Sequence, residues 1–182
     1  MSAVHAALFG MTIVAVGISA VTDIRARKIK NWVTFPAIAL GLLVHTVAGG
    51  WDGGEGLGLK WSLIGLAIGC LPFLVMNTLD SRAFGLGDVK LMAAVGALLA
   101  WPLMLEVLLF VALAGGVVAF VTLIAKRTLI RTLSRMLARR RDDDGEKSQD
   151  RASSSQYIPY GVAIAGGTLM VVALEVARRG IF

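Results

Sequence analysis

Two aspartates stand out by where they sit. Asp88 lies beside glycines in the stretch Phe84-Gly85-Leu86-Gly87-Asp88-Val89-Lys90, at the mouth of a long apolar run, and Asp23 closes an earlier apolar run in the same manner. A carboxylate inside a membrane segment is costly, about 2.5–3.5 kcal/mol at a helix centre on insertion scales, so it marks a functional site whose partner has to be found. Gly85 and Gly87 put no side chains around Asp88, which lets another backbone come close. Asp23 is the partner that the order of apolar runs offers. Carboxylates held about 3 Å apart cannot both ionise; they share one proton and titrate as a unit. The ionised member can then take a proton from water, while the other donates a hydrogen bond to a scissile carbonyl and later protonates the leaving amine. The chemistry open to such a pair is amide hydrolysis without a covalent intermediate.

The rest of the chain says what must hold these side chains. Of 182 residues, 57% are hydrophobic and only 16% are charged, well under the roughly 25% usual for soluble proteins. Mean hydropathy is +0.76. Several apolar stretches approach or exceed the ~20 residues a helix needs to cross a bilayer. The fold class is therefore all-α, a polytopic membrane protein forming a single membrane-embedded domain over 1–182. A formal charge of +6 would suit a nucleic-acid binder. In so apolar a chain, however, the excess of Lys and Arg belongs to cytoplasmic loops, and no nucleic-acid partner is expected. The one cysteine, Cys70, excludes an internal disulfide and a multi-cysteine zinc site. The first 20 residues lack the basic region of a secretory signal and read as a retained helix.

Taken in order, segment one runs from about Ala3 to Thr22 and is followed by Asp23, Arg25, Arg27, Lys28 and Lys30. That basic loop is cytoplasmic by the charge rule and puts the N-terminus outside. Segment two, about Trp32–Ala48, carries Pro36 in its first turn; a glycine-rich outer turn leads to segment three, about Leu59–Leu79, where Pro72 is a site for a kink. The run from Val89 to Ala125 is too long for one crossing and divides at Trp101-Pro102. The division leaves a short segment four (about Val89–Ala100), extendable into the glycine loop, and a long segment five (about Leu103–Ala125). Residues 126–141 alternate seven basic residues with Leu129, Ile130, Leu133, Met136 and Leu137 in helical steps. They read as a basic amphipathic helix lying on anionic lipid headgroups at the cytoplasmic side. Residues 142–156 are polar and read as a disordered part of the same loop. Segment six, about Tyr157–Val176, completes about six transmembrane helices and leaves Arg178 and Arg179 outside, against the charge rule. On this topology Asp23 and Asp88 meet at the cytoplasmic face.

Asp23 before a basic stretch and Asn31, then Gly85-Leu86-Gly87-Asp88-Val89-Lys90, then Pro159-Tyr160-Gly161 at the last helix, together resemble the type IV prepilin peptidases, membrane-embedded aspartic proteases with a Gly-x-Gly-Asp motif. The resemblance spans about Thr22 to Gly167. It implies that Asp23 and Asp88 are the catalytic pair, with Gly85, Gly87, Lys90 and Asn31 as supporting motif residues and with no cofactor and no metal. The implied reaction is endoproteolytic removal of the basic leader of a pilin-like precursor, just before its hydrophobic helix, at the cytoplasmic side of the bacterial inner membrane. The larger relatives carry paired Cys-x-x-Cys motifs in a region not present in this sequence. The expectation is therefore a compact peptidase of the tight-adherence (Flp) type, without the N-methyltransferase activity. Lys30 stands where many relatives have proline.

Plainer roles stand beside these. An aspartate in the first turn of a helix is favourable with no catalysis at all, and Lys90 could serve only as a snorkelling topology marker. His45 reads as a hydrogen-bonded structural histidine, and Glu106 as an interfacial group near the outer end of segment five. Gly65 with Gly69, and the pairs Gly115-Gly116 and Gly166-Gly167, read as helix-packing positions. Asp80 and Asp142–Asp144 offer negative charge to a basic leader. Two other functions remain open at this point: a small proton-coupled transporter or channel subunit using membrane-edge carboxylates, and a lipid-bound assembly protein indifferent to both aspartates.

Overall fold

A computed structural model describes residues 3–26, 30–54, 56–79, 85–125 and 160–179. Among them the secondary structure is entirely helical: α1 (Ala3–Ala26), α2 (Asn31–Gly49), α3 (Leu59–Leu79), α4 (Leu86–Leu99), α5 (Leu103–Ala125) and α6 (Tyr160–Arg178). The expected amphipathic helix at 126–141, the polar segment at 142–156 and Asp80 lie outside the described residues. The chain divides into a larger unit, Met1–Gly115 with Pro159–Phe182, and a smaller one, Gly116–Ile158, whose described part is helical. The larger unit holds α1 to α4, the start of α5 and all of α6.

Among the described residues four helices are long and apolar enough to cross a membrane: Ala3–Arg25, Asn31–Gly49, Leu59–Leu79 and Tyr160–Arg178. Their outward residues, such as Val14, Leu43, Val47, Leu71, Val75 and Leu79, are exposed, as lipid-facing positions of a polytopic bundle should be. The helix ends differ from the expected ones in an informative way. α1 continues past Thr22, so Asp23 is inside its last turn; α4 takes in Leu86 and Gly87, so Asp88 is inside its first. Pro36 falls in the second turn of α2, because that helix begins at Asn31.

α4 is the exception among the helices and the centre of the bundle. Its 14 residues make a rod of about 21 Å, short of the ~30 Å hydrocarbon thickness, yet Asp88, Val89 and every residue from Leu91 to Leu99 are buried. It can be this short because α1, α2 and α3 surround it and no part of it has to meet headgroups alone. Glycines make the enclosure tight. A Cβ added to Gly65 or Gly69 would run into the backbone carbonyls of Gly96 and Met92, and one added to Gly96 into that of Gly65. Gly41 of α2 lies against Ala97 in the same way, where a Cβ would come within 2.8 Å of the carbonyl oxygen. Such backbone approach is how helices associate in lipid, where burial of apolar surface supplies no drive between them. Ser62 reinforces it by donating to the Ala97 carbonyl at 2.6 Å.

Of the other small-residue pairs, Gly167 packs on Val111 of α5, where a Cβ would meet the backbone nitrogen at 2.6 Å, whereas Gly166 has nothing within 4 Å. His45 is a structural histidine, as expected. The Gly58 N–H donates to its Nδ1 at 3.4 Å, so Nε2 carries the ring proton and donates to the Leu98 carbonyl, 3.2 Å away. It ties α2, the turn before α3 and the end of α4 together.

Replacing Gly96 by leucine should lower stability by about 1–3 kcal/mol or more through overpacking, read as an earlier thermal midpoint in detergent. An unchanged midpoint would mean that α3 and α4 are not in backbone contact.

Candidate functional site

One end of the bundle collects the polar ends of several helices. The last turn of α1 brings Asp23, the first turn of α2 brings Asn31, the first turns of α4 bring Asp88 and Lys90, and the first turn of α6 brings Gly161. Both carboxylates are inside the protein, Asp23 at 2% and Asp88 at 9% exposure, on two helices that pack against each other. The loop residues 80–84 that precede Gly85 lie outside the described residues.

Each carboxylate is held by a backbone donor, but from different sources. Asp88 is held locally: its Oδ2 accepts from the Gly85 N–H at 3.3 Å, and its own N–H returns to the Gly85 carbonyl at 3.0 Å. This is the acidic half of a capping box; Gly85, having no side chain, answers through its backbone carbonyl. Asp23 is held from far away, its Oδ2 accepting from the Gly161 N–H at 3.1 Å across 138 residues of sequence. Such bonds stabilise the charged form of a carboxylate that burial would otherwise penalise.

The glycines flanking Asp88 do not serve a left-handed turn. Gly85 has φ −77°, open to any residue, and Gly87 is not among the positive-φ glycines. A Cβ at Gly85 would sit 3.6 Å from Asp88 Oδ2, in ordinary contact. What Gly85 contributes is the absence of a side chain beside the carboxylate. Lys90 turns away to α2, donating to Asn31 Oδ1 at 3.1 Å with its ammonium 5.4 Å from the Phe35 ring centroid. The structure thus brings Asp23 and Asp88 together and Asn31 and Lys90 together, beside Gly85 and Gly87. Gly161 is the neighbour that spacing did not single out as part of the site; its signal was the small residue opening the last helix.

The other end of the bundle is polar too. A cavity of about 180 Å³ there is lined by His5, His45, Trp101, Glu106, Glu175 and Arg179 among others. Glu106 is an ion-pair partner rather than a bare interfacial acid: Arg178 reaches both its oxygens, at 2.9 and 3.0 Å, and Arg179 donates to Glu175 at 2.6 Å. The two arginines at the end of α6 are therefore neutralised in place. Among the described residues no three His, Cys, Asp or Glu side chains converge where a metal ion would sit. Two carboxylates that share a water can pass a proton between them.

This chain is similar to known proteins. A model of the type IV leader peptidase family matches residues 9–120, which include both aspartates, Asn31 and the glycine-aspartate stretch. A prepilin leader peptidase/N-methyltransferase of Burkholderia pseudomallei (strain K96243) is 31% identical over 120 residues, 63% of this chain and 37% of that protein. One of Myxococcus xanthus (strain DK1622) is 39% identical over 69 residues, 35% of this chain and 21% of that protein. The chain thus matches less than two fifths of the length of these curated relatives. No solved structure matches it.

The Lys90–Asn31 bond should show itself as coupling. In a double-mutant cycle of Lys90→Met and Asn31→Ala, the two losses of thermal stability should fall short of additivity by about 0.5–1.5 kcal/mol. Strict additivity would show that α2 and α4 are not joined there.

Proposed function

The chain belongs to the type IV leader peptidase family, and on that premise we propose that it is a membrane-embedded aspartic endopeptidase whose Asp23 and Asp88 cut the leader from a pilin-like precursor. The observation that carries this is the pair itself: two buried aspartates from distant parts of the chain, at the same end of two helices that pack on each other. The carboxylates share one proton and a water. The ionised one removes a proton from that water as it attacks the scissile carbonyl. The other donates a hydrogen bond to the carbonyl oxygen, and a proton then passes to the leaving amine. The peptide C–N bond breaks, a C–O bond to the water oxygen forms, and no group stays on the enzyme.

The substrate is a precursor with a basic leader ahead of a hydrophobic helix, of the Flp type. The basic residues between α1 and α2 argue for Asp23 and Asp88 at the cytoplasmic face of the inner membrane, with the N-terminus outside. Residues 126–141 lie on anionic headgroups, and Asp80 with Asp142–Asp144 meets the basic leader. Gly85 and Gly87 keep the approach to Asp88 clear for a peptide backbone. Lys90, held by Asn31 and Phe35, braces the start of α4 against α2. A proton-relay role for the pair is less well supported, because the carboxylates sit at a bundle end rather than at mid-depth.

Co-expression with a Flp-type precursor tests the assignment. Asp23→Asn and Asp88→Asn should each abolish leader removal while the protein still folds, since a pair acting as a unit fails when either member is lost. Normal cleavage by either amide variant would sink it.

A further inference from the structure

The donor that meets Asp23 belongs to a residue with no side chain of its own. Gly161 is the second residue of α6, and its N–H donates to Asp23 Oδ2 at 3.1 Å in a buried position. N–H groups in the first turn of a helix have no acceptor within the helix, so this one can serve a carboxylate at no cost to α6. The partial positive charge at a helix start adds to the attraction. The space is as specific as the bond. A Cβ at position 161 would lie 2.6 Å from Asp23 Oδ2 and 3.0 Å from its Cβ and Cγ. That conflict reaches the root of a short, enclosed side chain, which has no room to swing aside.

We propose that Gly161 is a positioning residue for the peptidase reaction: its backbone N–H and its missing side chain together orient the Asp23 carboxylate toward Asp88. The proposal rests on the assignment of the two aspartates as the catalytic pair. Asp88 takes its orientation from the cap of its own helix, whereas Asp23 takes it from a helix 138 residues away. The catalytic pair is therefore complete only when α6 is docked. A carboxylate pinned at one oxygen can no longer rotate freely, and a pinned geometry is what attack by a shared water requires.

Two measurements test this in the full-length protein in detergent. In cleavage of a purified pilin-like precursor, Gly161→Ala should lower kcat by about 10²-fold, the scale of an ångström's misplacement, with KM changed less than about twofold. Because unfolded enzyme would lower apparent kcat and leave KM alone, rates are taken per folded molecule, counted by monodisperse elution and thermal midpoint; a role confined to folding would then give wild-type kcat. The second measurement needs no change at 161. Tyr160-Gly161 is the one Tyr-Gly step in the sequence, so carbonyl-¹³C tyrosine with ¹⁵N glycine isolates its amide in an NMR spectrum. That amide proton should move by several tenths of a ppm upfield in Asp23→Asn, and by less in Asp88→Asn. Gly161→Ala with wild-type kcat, a loss confined to KM, or an amide unmoved by Asp23→Asn would each overturn the proposal. Asp23→Asn and Asp88→Asn run in the same cleavage assay keep the two ideas apart. If both are inactive while Gly161→Ala cleaves normally, only the role of Gly161 fails; if they cleave normally, the aspartate assignment fails first.

Discussion

Backbone contact between α3 and α4 is the constraint on which the rest of the molecule depends. Gly65 and Gly69 on one helix and Gly96 on the other leave no room for even a methyl group between the chains. In lipid the apolar faces of two helices gain little by meeting each other rather than acyl chains. Close packing and the Ser62 hydrogen bond to Ala97 therefore do what burial does in a soluble core. The consequence is that a 14-residue helix, too short to span alone, is held inside a ring of longer ones. Asp88 sits in the first turn of that enclosed helix.

The larger unit has polar groups at both ends of its helices and an apolar middle. His5 and Asp23 lie on one helix, separated by about 18 residues, or about 27 Å of rise, close to the hydrocarbon thickness of a bilayer. At the His5 end, acids meet bases: Glu106 with Arg178, Glu175 with Arg179. The Asp23 end is built differently. There two acids lie together, each accepting from a backbone N–H, and the ammonium of Lys90 is engaged by Asn31 and Phe35. Ion pairs close one end of the bundle, whereas at the other the acids are steadied by backbone donors instead of by bases.

Much of the organisation was legible because membranes impose few choices. Apolar runs of known length, basic loops and proline breaks locate helices, and Trp101-Pro102 does separate α4 from α5. The boundaries moved where local chemistry overrides hydropathy. Asp23 and Asp88 count as polar in any hydropathy reading, yet each is helical, Asp88 because an acidic residue is favoured in a first turn. Gly115-Gly116 and Gly166-Gly167 look alike in sequence, but only Gly167 makes a backbone approach of the kind expected. Which face of a glycine pair meets a neighbour depends on helix rotation, and rotation is set by packing that no single segment encodes.

By itself the sequence determined the class of molecule, the number and order of its helices among the described residues, and the identity of two carboxylates that lipid would not tolerate without a reason. Those follow from local length, charge and the penalty for burying an acid. Only the tertiary structure decided that the shortest helix is the central one, that Lys90 turns to Asn31, and that a glycine of the last helix supplies a donor to Asp23. Each of these is a contact between residues far apart in the chain, fixed by how rigid helices fit side by side, and the spacing of residues along one helix carries no information about it.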